Sequence, residues 1–374
     1  MSRAAPSRDD SARIALVGAG LIGRIHLKSL RACHIARPVA LVDPDPEARR
    51  LAAEYNVTHY KSLELMLDSM RPDGAIIATP NALHVAQAMS CLQRRVPILL
   101  EKPVAPTLSQ AEPLRRLADD NGTPVLVGHH RAHSPIMQQA VRLIQEGGLG
   151  RVVAITGSAA FYKPDDYFNA APWRRAEGGG PVLINLIHDI HAYRSLCGEI
   201  DAVQAMSSCA VRAHDVEDSV TINLRFANGA LGNFLLSDTA ATTHSWEQTS
   251  GENPAYANDP GADCYLVSGT RGSLSIPSLT WRHCATDEQP SWWRALSSHR
   301  LPIDRLDPIE RQLTHFVAVI RGECEPLVTL NDGLANLSVI EAVLAAAATN
   351  GTVTPTSLDA TTSCTLLNAP TSPT

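Results

Sequence analysis

Arg13-Ile14-Ala15-Leu16-Val17-Gly18-Ala19-Gly20-Leu21-Ile22-Gly23 is the stretch on which the fold turns. A short, mostly apolar run meets three glycines, and a helical pattern continues to about Ala32. This reads as strand, tight turn and helix. Gly18 makes the turn, Gly20 lets the backbone approach a pyrophosphate, and Gly23 lets helix pack on strand. The first helical turn, through Leu21 and Ile22, adds free N–H donors and a positive dipole end. Pro38 to Val42 then reads as a second apolar strand ending at Asp43, where an acid can hold the adenosine ribose hydroxyls. A carboxylate there repels a 2′-phosphate and favours NAD over NADP, while Arg49 and Arg50 on the next helix leave NADP open. Asp43 also suits a plain turn before Pro44, but the glycine turn and the strand before it favour the ribose-holding reading.

The alternation continues. Asp45 to Tyr55 reads as helix, Thr58 to Tyr60 as strand, Ser62 to Asp68 as helix and Gly74 to Ala78 as strand. A helix follows to about Gln93, then a strand over Pro97 to Leu100, a helix over Ser109 to Asn121 and a strand over Pro124 to Val127. Repeated strand and helix predict a doubly wound parallel sheet, whose ligands sit at the carboxyl ends of the strands. The glycine turn, Asp43, Thr79 to His84, Glu101-Lys102-Pro103 and Gly128 to Arg131 all fall at such ends. Thr79, Asn81, His84, Glu101 and Lys102 therefore join Gly18, Gly20, Leu21, Ile22, Gly23 and Asp43 as candidate cofactor contacts.

After Ser134 the pattern changes. Pro135 to Gln145 reads as helix, and strands are expected over Arg151 to Phe161, Ala202 to Ala213, Ser219 to Phe226, Ala230 to Ser237, Cys264 to Ser268 and Ser273 to Ile276. Asn228-Gly229 is a hairpin signal, and successive strands with short turns indicate an antiparallel sheet. Residues 239–262, with Trp246 and Glu247, read as a loop too polar to be core. Pro308 to Arg321 and Gly333 to Ala348 read as helices. The expected domains are a leader over 1–12, a dinucleotide domain over 13–132, a second domain over 133–350, and a loosely ordered tail over 351–374.

Between the two patterns lies Gly178-Gly179-Gly180-Pro181-Val182-Leu183-Ile184-Asn185-Leu186-Ile187-His188-Asp189-Ile190-His191. Pro181 suits a first helical turn, and apolar residues on almost every side describe a buried helix. Residues three and four apart share a face, so Ile184, His188 and His191 should line one stripe, with Asn185 meeting His188 beside it. Buried polar groups must find partners, so the helix faces a polar cavity, a ligand or another hydrogen-bonding segment. A histidine simply held in the core satisfies the same rule.

The bulk numbers narrow the class. The chain has 374 residues, 44% hydrophobic and 19% charged, and a net charge of −6, which argues against nucleic acid or an acidic membrane surface as main partner. No apolar run is expected to span a bilayer, and the polar N-terminus does not read as a secretory signal. The eight cysteines lie in no metal-binding spacing and fit reduced thiols in a cytoplasm. No metal site is expected. His129, His130, Arg131 and His133 are numerous but do not form a ligand spacing, and read as substrate contacts or as groups just behind them. Lysine is scarce, with only Lys28, Lys61, Lys102 and Lys163 in the whole chain.

With the glycine turn, Glu101-Lys102-Pro103 and the Gly178-to-His188 stretch in place, the chain resembles the Gfo/Idh/MocA oxidoreductases, a family that includes inositol dehydrogenase and glucose-fructose oxidoreductase. The resemblance runs from about residue 13 to 350 and includes His315-Phe316, Glu325-Pro326 and Asp332-Gly333. It implies an N-terminal Rossmann domain and a C-terminal domain with a large, open-faced, mainly antiparallel sheet. It also implies a nicotinamide cofactor, sugar, cyclitol or other polyol substrates, and homodimers or homotetramers through the open sheet face. By position it makes Lys102 the lysine near the nicotinamide and the reacting oxygen, and His188 the catalytic histidine. These roles suit alcohol oxidation by hydride loss, which needs a base for the hydroxyl proton and a cation for the developing oxyanion.

One position departs from the family. Many members carry an aspartate four residues before the histidine, where this chain has Ile184. A carboxylate there would orient the ring, and Asn185 is the candidate replacement, for the ring or for a substrate hydroxyl, unless it is a helix-packing amide. Tyr162, Lys163, Trp173 and Arg174 offer an aromatic wall with cations, and with Arg131 they are candidate substrate contacts. The Trp173-Arg174 pair also suggests a cis-dihydrodiol dehydrogenase acting on an aromatic acid. Ile184 leaves a third possibility, a non-catalytic NAD-binding sensor or regulatory partner.

Overall fold

A computed structural model describes residues 11–285 and 288–358. Residues 1–10 of the expected leader and 359–374 of the expected tail lie outside the described residues. Near the two ends of the described residues, Ala12 opens the first strand and Thr352–Val353 forms the last.

The chain divides into two compact units. The first runs to His130 and takes in Pro308–Leu334; the second is Arg131–Asp307 together with the chain from Ala335 onward. The expected boundary at 132/133 thus falls at His130/Arg131, and residues 308–334, expected in the second domain, return to the first. The cause is packing. At Gly74 a Cβ would lie 2.6 Å from Ile320 Cδ1 and 3.0 Å from Phe316 Cζ, so the helix Pro308–Ile320 sits directly on that strand. Val127 N–H also donates to Val328 O at 2.9 Å.

In the first unit, β1 (Ala12–Val17), β2 (Ala36–Val42), β3 (Thr58–Tyr60), β4 (Gly74–Ile77), β5 (Ile98–Leu100) and β6 (Val125–Val127) form one parallel sheet in the order β3-β2-β1-β4-β5-β6. Its central strands are buried residue after residue, as a sheet covered on both faces requires. The connecting helices are α1 (Leu21–Ala32), α2 (Ala48–Glu54), α3 (Leu63–Ser69), α4 (Asn81–Gln93) and α5 (Leu108–Asn121). The order reverses between β1 and β4, and that switch point is where a nucleotide belongs.

The second unit holds nine strands: β7 (Val152–Ala160), β8 (Ile200–Ser208), β9 (Ser219–Phe226), β10 (Leu231–Ser237), β11 (Tyr265–Gly269), β12 (Gly272–Ile276), β13 (Thr280–His283), β14 (Ser297–Arg300) and β15 (Thr352–Val353). Their order is β14-β13-β12-β11-β7-β10-β9-β8-β15, and every pair is antiparallel except β7 with β10. β9 alternates buried and exposed residues without a break, so one face is core and the other is open. The helices α6 (Pro135–Gln145) and α8 (Ile187–Cys197) cover the core face. On the open face Leu231, Leu235, Leu266 and Met206 are exposed.

Three expectations need correction. The loop over 239–262 is not all surface: Trp246, on a short helical turn, is 1% exposed and stacks on Tyr265. The polar residues around it conceal a single large anchor. Residues 162–177, read above only as an aromatic wall with cations, contain a helix, α7 (Asp165–Asn169), and a 3₁₀ turn at Pro172–Arg175. Finally, the helix Leu330–Thr349 is long and apolar enough, by length and composition, to cross a bilayer, although most of it is buried inside the protein.

Candidate active site

In the first unit the chemistry gathers at the carboxyl ends of β1, β2, β4 and β5. Gly18 has a φ of +100°, and a Cβ there would lie 2.5 Å from Ala78 O, so only glycine fits where the turn crosses the end of β4. Nothing lies within 4 Å of the Cβ position at Gly20, which leaves the backbone open to a ligand at the start of α1. Leu21 is exposed and Ile22 half-buried beside it, and Gly23 is buried against Gly18. Asp43 Oδ2 accepts from Ala19 N–H at 2.7 Å, so the acid ending β2 stands at the glycine turn. Its Oδ1 accepts from Asp45 N–H at 2.9 Å, which makes it the turn residue as well. The open backbone, the helix start and the acid fit a dinucleotide.

Thr79 and Asn81 are half-buried at the end of β4, and Thr79 Oγ1 donates to Gln87 Oε1 at 2.6 Å. His84 and Glu101, expected as cofactor contacts, have other work. His84 is buried, with Nδ1 2.7 Å from Pro103 O and Nε2 2.9 Å from Thr79 O, so it ties the β4 loop to the Lys102–Pro103 turn. Burial holds its pKa below the ordinary value, against the pull of those two carbonyls. Glu101 is buried too, and its Oε1 accepts from His26 Nε2 on α1 at 2.8 Å. Burial opposes its charge, but the hydrogen bond and charge of His26, with Lys102 and His130, outweigh that and hold the carboxyl below its usual range. Glu101 Oε2 accepts from Lys102 N–H at 3.3 Å. Both residues therefore brace the backbone around Lys102, which is itself half-buried.

In the second unit the helix begins at Pro181, but Val182–Leu186 is a π-helical turn, and α8 starts only at Ile187. A π-turn carries more residues per turn, so the regular spacing assumed for the stripe of Ile184, His188 and His191 is interrupted just before His188. Asn185 Oδ1 instead accepts from Lys163 Nζ at 2.7 Å. His188 is 7% exposed, and His191 is buried against Asn336, with 3.2 Å between Asn336 Nδ2 and His191 Nδ1. Ile184 and Asn185 are the half-exposed positions of the turn.

Two carboxylates hold this helix, Asp189 within it and Glu217, which no sequence pattern singles out. Glu217 Oε1 accepts from Val182 N–H at 2.8 Å, and a Cβ on Gly180 would collide with its carboxyl group, which explains the third glycine. Burial raises the Glu217 pKa. Asp189, next to His188, is 1% exposed and accepts from Arg131 Nη1 at 2.9 Å and from the Tyr265 hydroxyl. Burial pushes the Asp189 carboxyl up, and Arg131 and Tyr265 pull it back. Arg131 also pairs with Glu247 at 3.1 Å. Expected as a substrate contact, its guanidinium is instead spent inside the fold, because a buried cation needs such partners.

The expected substrate residues Trp173 and Arg174 divide. Trp173 is half exposed, whereas the Arg174 guanidinium lies 3.8 Å from the centroid of the Tyr167 ring and donates to Tyr167 O at 2.6 Å. That engagement removes the reason for assigning Arg174 to a substrate carboxylate. Tyr162 is exposed at the end of β7, and Lys163 beside it is buried. His129 and His133 are buried as well.

A switch point with an open glycine turn takes a dinucleotide, which sets the chain among the nucleotide-dependent oxidoreductases. Both halves of the chain then agree on the family. Residues 12–129 match "Oxidoreductase family, NAD-binding Rossmann fold", residues 137–275 match "GFO/IDH/MocA C-terminal domain", and the chain belongs to this Gfo/Idh/MocA family. It is 26% identical over 355 residues to D-apiose dehydrogenase of Paraburkholderia graminis, covering 92% of this chain and 90% of that protein. It is 24% identical over 344 residues to inositol 2-dehydrogenase of Rhizobium meliloti, covering 89% and 96%. Among solved structures, the WlbA dehydrogenase of Chromobacterium violaceum in complex with NADH and UDP-GlcNAcA has the same fold, with a TM-score of 0.76 at 23% identity over 96% of this chain and 100% of that one.

Proposed function

We propose that the protein is an NAD-dependent dehydrogenase that moves hydride between the cofactor and a secondary alcohol, or the matching ketone, of a sugar, cyclitol or related polyol. The observation that carries this reading is the Lys102–Pro103 turn at the carboxyl end of β5, whose backbone is held by Glu101 and His84. Hydride acceptance and return is the chemistry the dinucleotide supplies when bound. The chain supplies the rest. Lys102 steadies the developing oxyanion, and His188 takes the hydroxyl proton during oxidation and gives it back during reduction. Asp43 supports NAD over NADP, since its carboxylate repels a 2′-phosphate at the glycine turn. The names of the relatives support sugars and cyclitols as the substrate class. The dihydrodiol reading draws no support from Arg174, whose guanidinium is engaged by Tyr167.

The same proposal covers assembly and location. The open face of the second sheet, with Leu231, Leu235, Leu266 and Met206 exposed, supports a homodimer or homotetramer through that face. None of the seven cysteines among the described residues is in a disulfide, which supports a cytoplasmic setting. The experiment is nicotinamide absorbance with NAD and a panel that includes myo-inositol and D-apiose, comparing the native protein with Lys102→Ala and His188→Ala. Each substitution should lower kcat by about a hundredfold or more. Full activity in the Lys102→Ala protein would refute the assignment.

A further inference from the structure

The second unit contains a polar chain that neither the cofactor nor the proton steps use. It starts at Arg212, whose Nε donates to Asp238 Oδ1 at 2.8 Å, and Asp238 Oδ2 lies 3.6 Å from Lys163 Nζ. Lys163 is held on every side. Its N–H donates to Asp238 O at 2.9 Å, its carbonyl accepts from Arg212 Nη2 at 2.7 Å, and its ammonium lies 4.8 Å from the Tyr167 ring centroid. The ammonium then donates to Asn185 Oδ1 at 2.7 Å. Lys163 is 8% exposed and Asp238 1% exposed, so this is a built interior arrangement. It is one of only four lysines in a chain otherwise supplied with arginine.

An ammonium carries only donors, so the Asn185 atom facing Lys163 must be its oxygen. The amide can therefore not flip, and its NH₂ group points away from Lys163. Among the described residues nothing in the protein accepts from that nitrogen, and Asn185 is half-exposed on the π-turn three residues before His188. Asn185 and His188 lie within one turn of each other on one continuous helical segment, so two side chains from it can reach adjacent oxygens of one small molecule.

We propose that Lys163 is a positioning residue that locks the Asn185 amide as a donor to the oxygen vicinal to the reacting carbon, so that the enzyme selects vicinal diols and α-hydroxy ketones. This rests on His188 facing the reacting oxygen, as the proposed function has it. The usual carboxylate is absent at Ile184, and the Lys163–Asn185 pair gives the site a neutral donor whose direction is set from behind. A hydroxyl oxygen in that place gains a hydrogen bond, and a substrate lacking it leaves the amide unpaired.

The test is steady-state kinetics on the best substrate of the polyol panel and on its analogue lacking the vicinal hydroxyl. The native protein is compared with Asn185→Ala, Lys163→Met, Lys163→Arg and the double variant Lys163→Met/Asn185→Ala. With the diol, Asn185→Ala and Lys163→Met should each raise KM about tenfold with a smaller change in kcat, consistent with one lost hydrogen bond. With the deoxy analogue neither should matter, Lys163→Arg should recover most of the loss, and the double variant should be no worse than Asn185→Ala alone. NADH binding followed by fluorescence should be unchanged. Equal losses on diol and analogue, or additive losses in the double variant, overturn the proposal while leaving the dehydrogenase reading intact. No turnover by the native protein with any polyol overturns both. Should Lys163→Met fail to fold, the half-exposed Asn185→Ala still decides through its ratio of diol to deoxy analogue.

Discussion

Replacing Glu252 by glutamine should make the protein increasingly more stable as the pH rises above the carboxyl's ordinary 4.5, and leave it nearly unchanged well below that value. Glu252 is 9% exposed, and its Oε1 accepts from Ser134 Oγ at 2.6 Å. Burial pushes its carboxyl up to about 7, and Glu247 adds to this. Hydrogen bonds from Ser134 and Trp246 and the charge of Arg131 act the other way. The folded state therefore holds the proton more tightly than the unfolded chain. The stability this group contributes is full below its ordinary 4.5 and is lost as the pH rises towards 7. At about 1.4 kcal/mol for each unit of pKa, the total is about 3 kcal/mol. Glutamine keeps an acceptor for Ser134 and carries no charge. The variant should exceed the native protein by about 1 kcal/mol near pH 5 and by about 3 kcal/mol near pH 8. Urea unfolding followed by tryptophan fluorescence at several pH values measures this, and comparing the two proteins cancels every other titrating group. A difference that does not change with pH would refute the reasoning.

Arg131→Met should cost about 3–5 kcal/mol in the same urea assay, because it leaves Asp189 buried without its cation. Adding Asp189→Asn should return part of that loss, and a near-neutral single variant would contradict the buried pairing. Asp43→Asn should raise kcat/KM for NADP relative to NAD by about ten- to a hundredfold, since removing one charge near a phosphate is worth about 1.4–3 kcal/mol. Steady-state rates with both cofactors decide it, and an unchanged ratio would leave Asp43 as a turn residue alone.

Much of the first unit is legible from residue order because its signals are local. The glycine turn lies within one short stretch, Thr58–Tyr60 is a strand as the alternation of strand and helix predicts, and Asp43 follows a strand whose end is plain. The Asn228-Gly229 turn likewise announces the β9–β10 pair. What stays hidden depends on distant partners. Nothing near Glu217 in sequence points to Val182, and nothing near Asn185 says that its oxygen belongs to Lys163. A π-turn has no residue signature of its own, so a pattern that assumes regular helical spacing misassigns the face. β14 is exposed at every residue and shows no alternation to detect. The period of the helix Pro308–Ile320 reveals an apolar face, not which sheet will receive it.

The split first unit has a consequence for synthesis. Everything up to His130 leaves the ribosome long before Pro308–Leu334, the segment that covers Gly74 and pairs with Val127. At about 5–20 residues per second the interval to Leu334 lasts about 10–40 s. For that time the nascent sheet has an uncovered apolar face and an unpaired edge, the surfaces that chaperones bind and that neighbouring chains can capture. Slower translation across the intervening segment should therefore lower the soluble fraction of freshly made protein, a quantity that no side chain in the site controls.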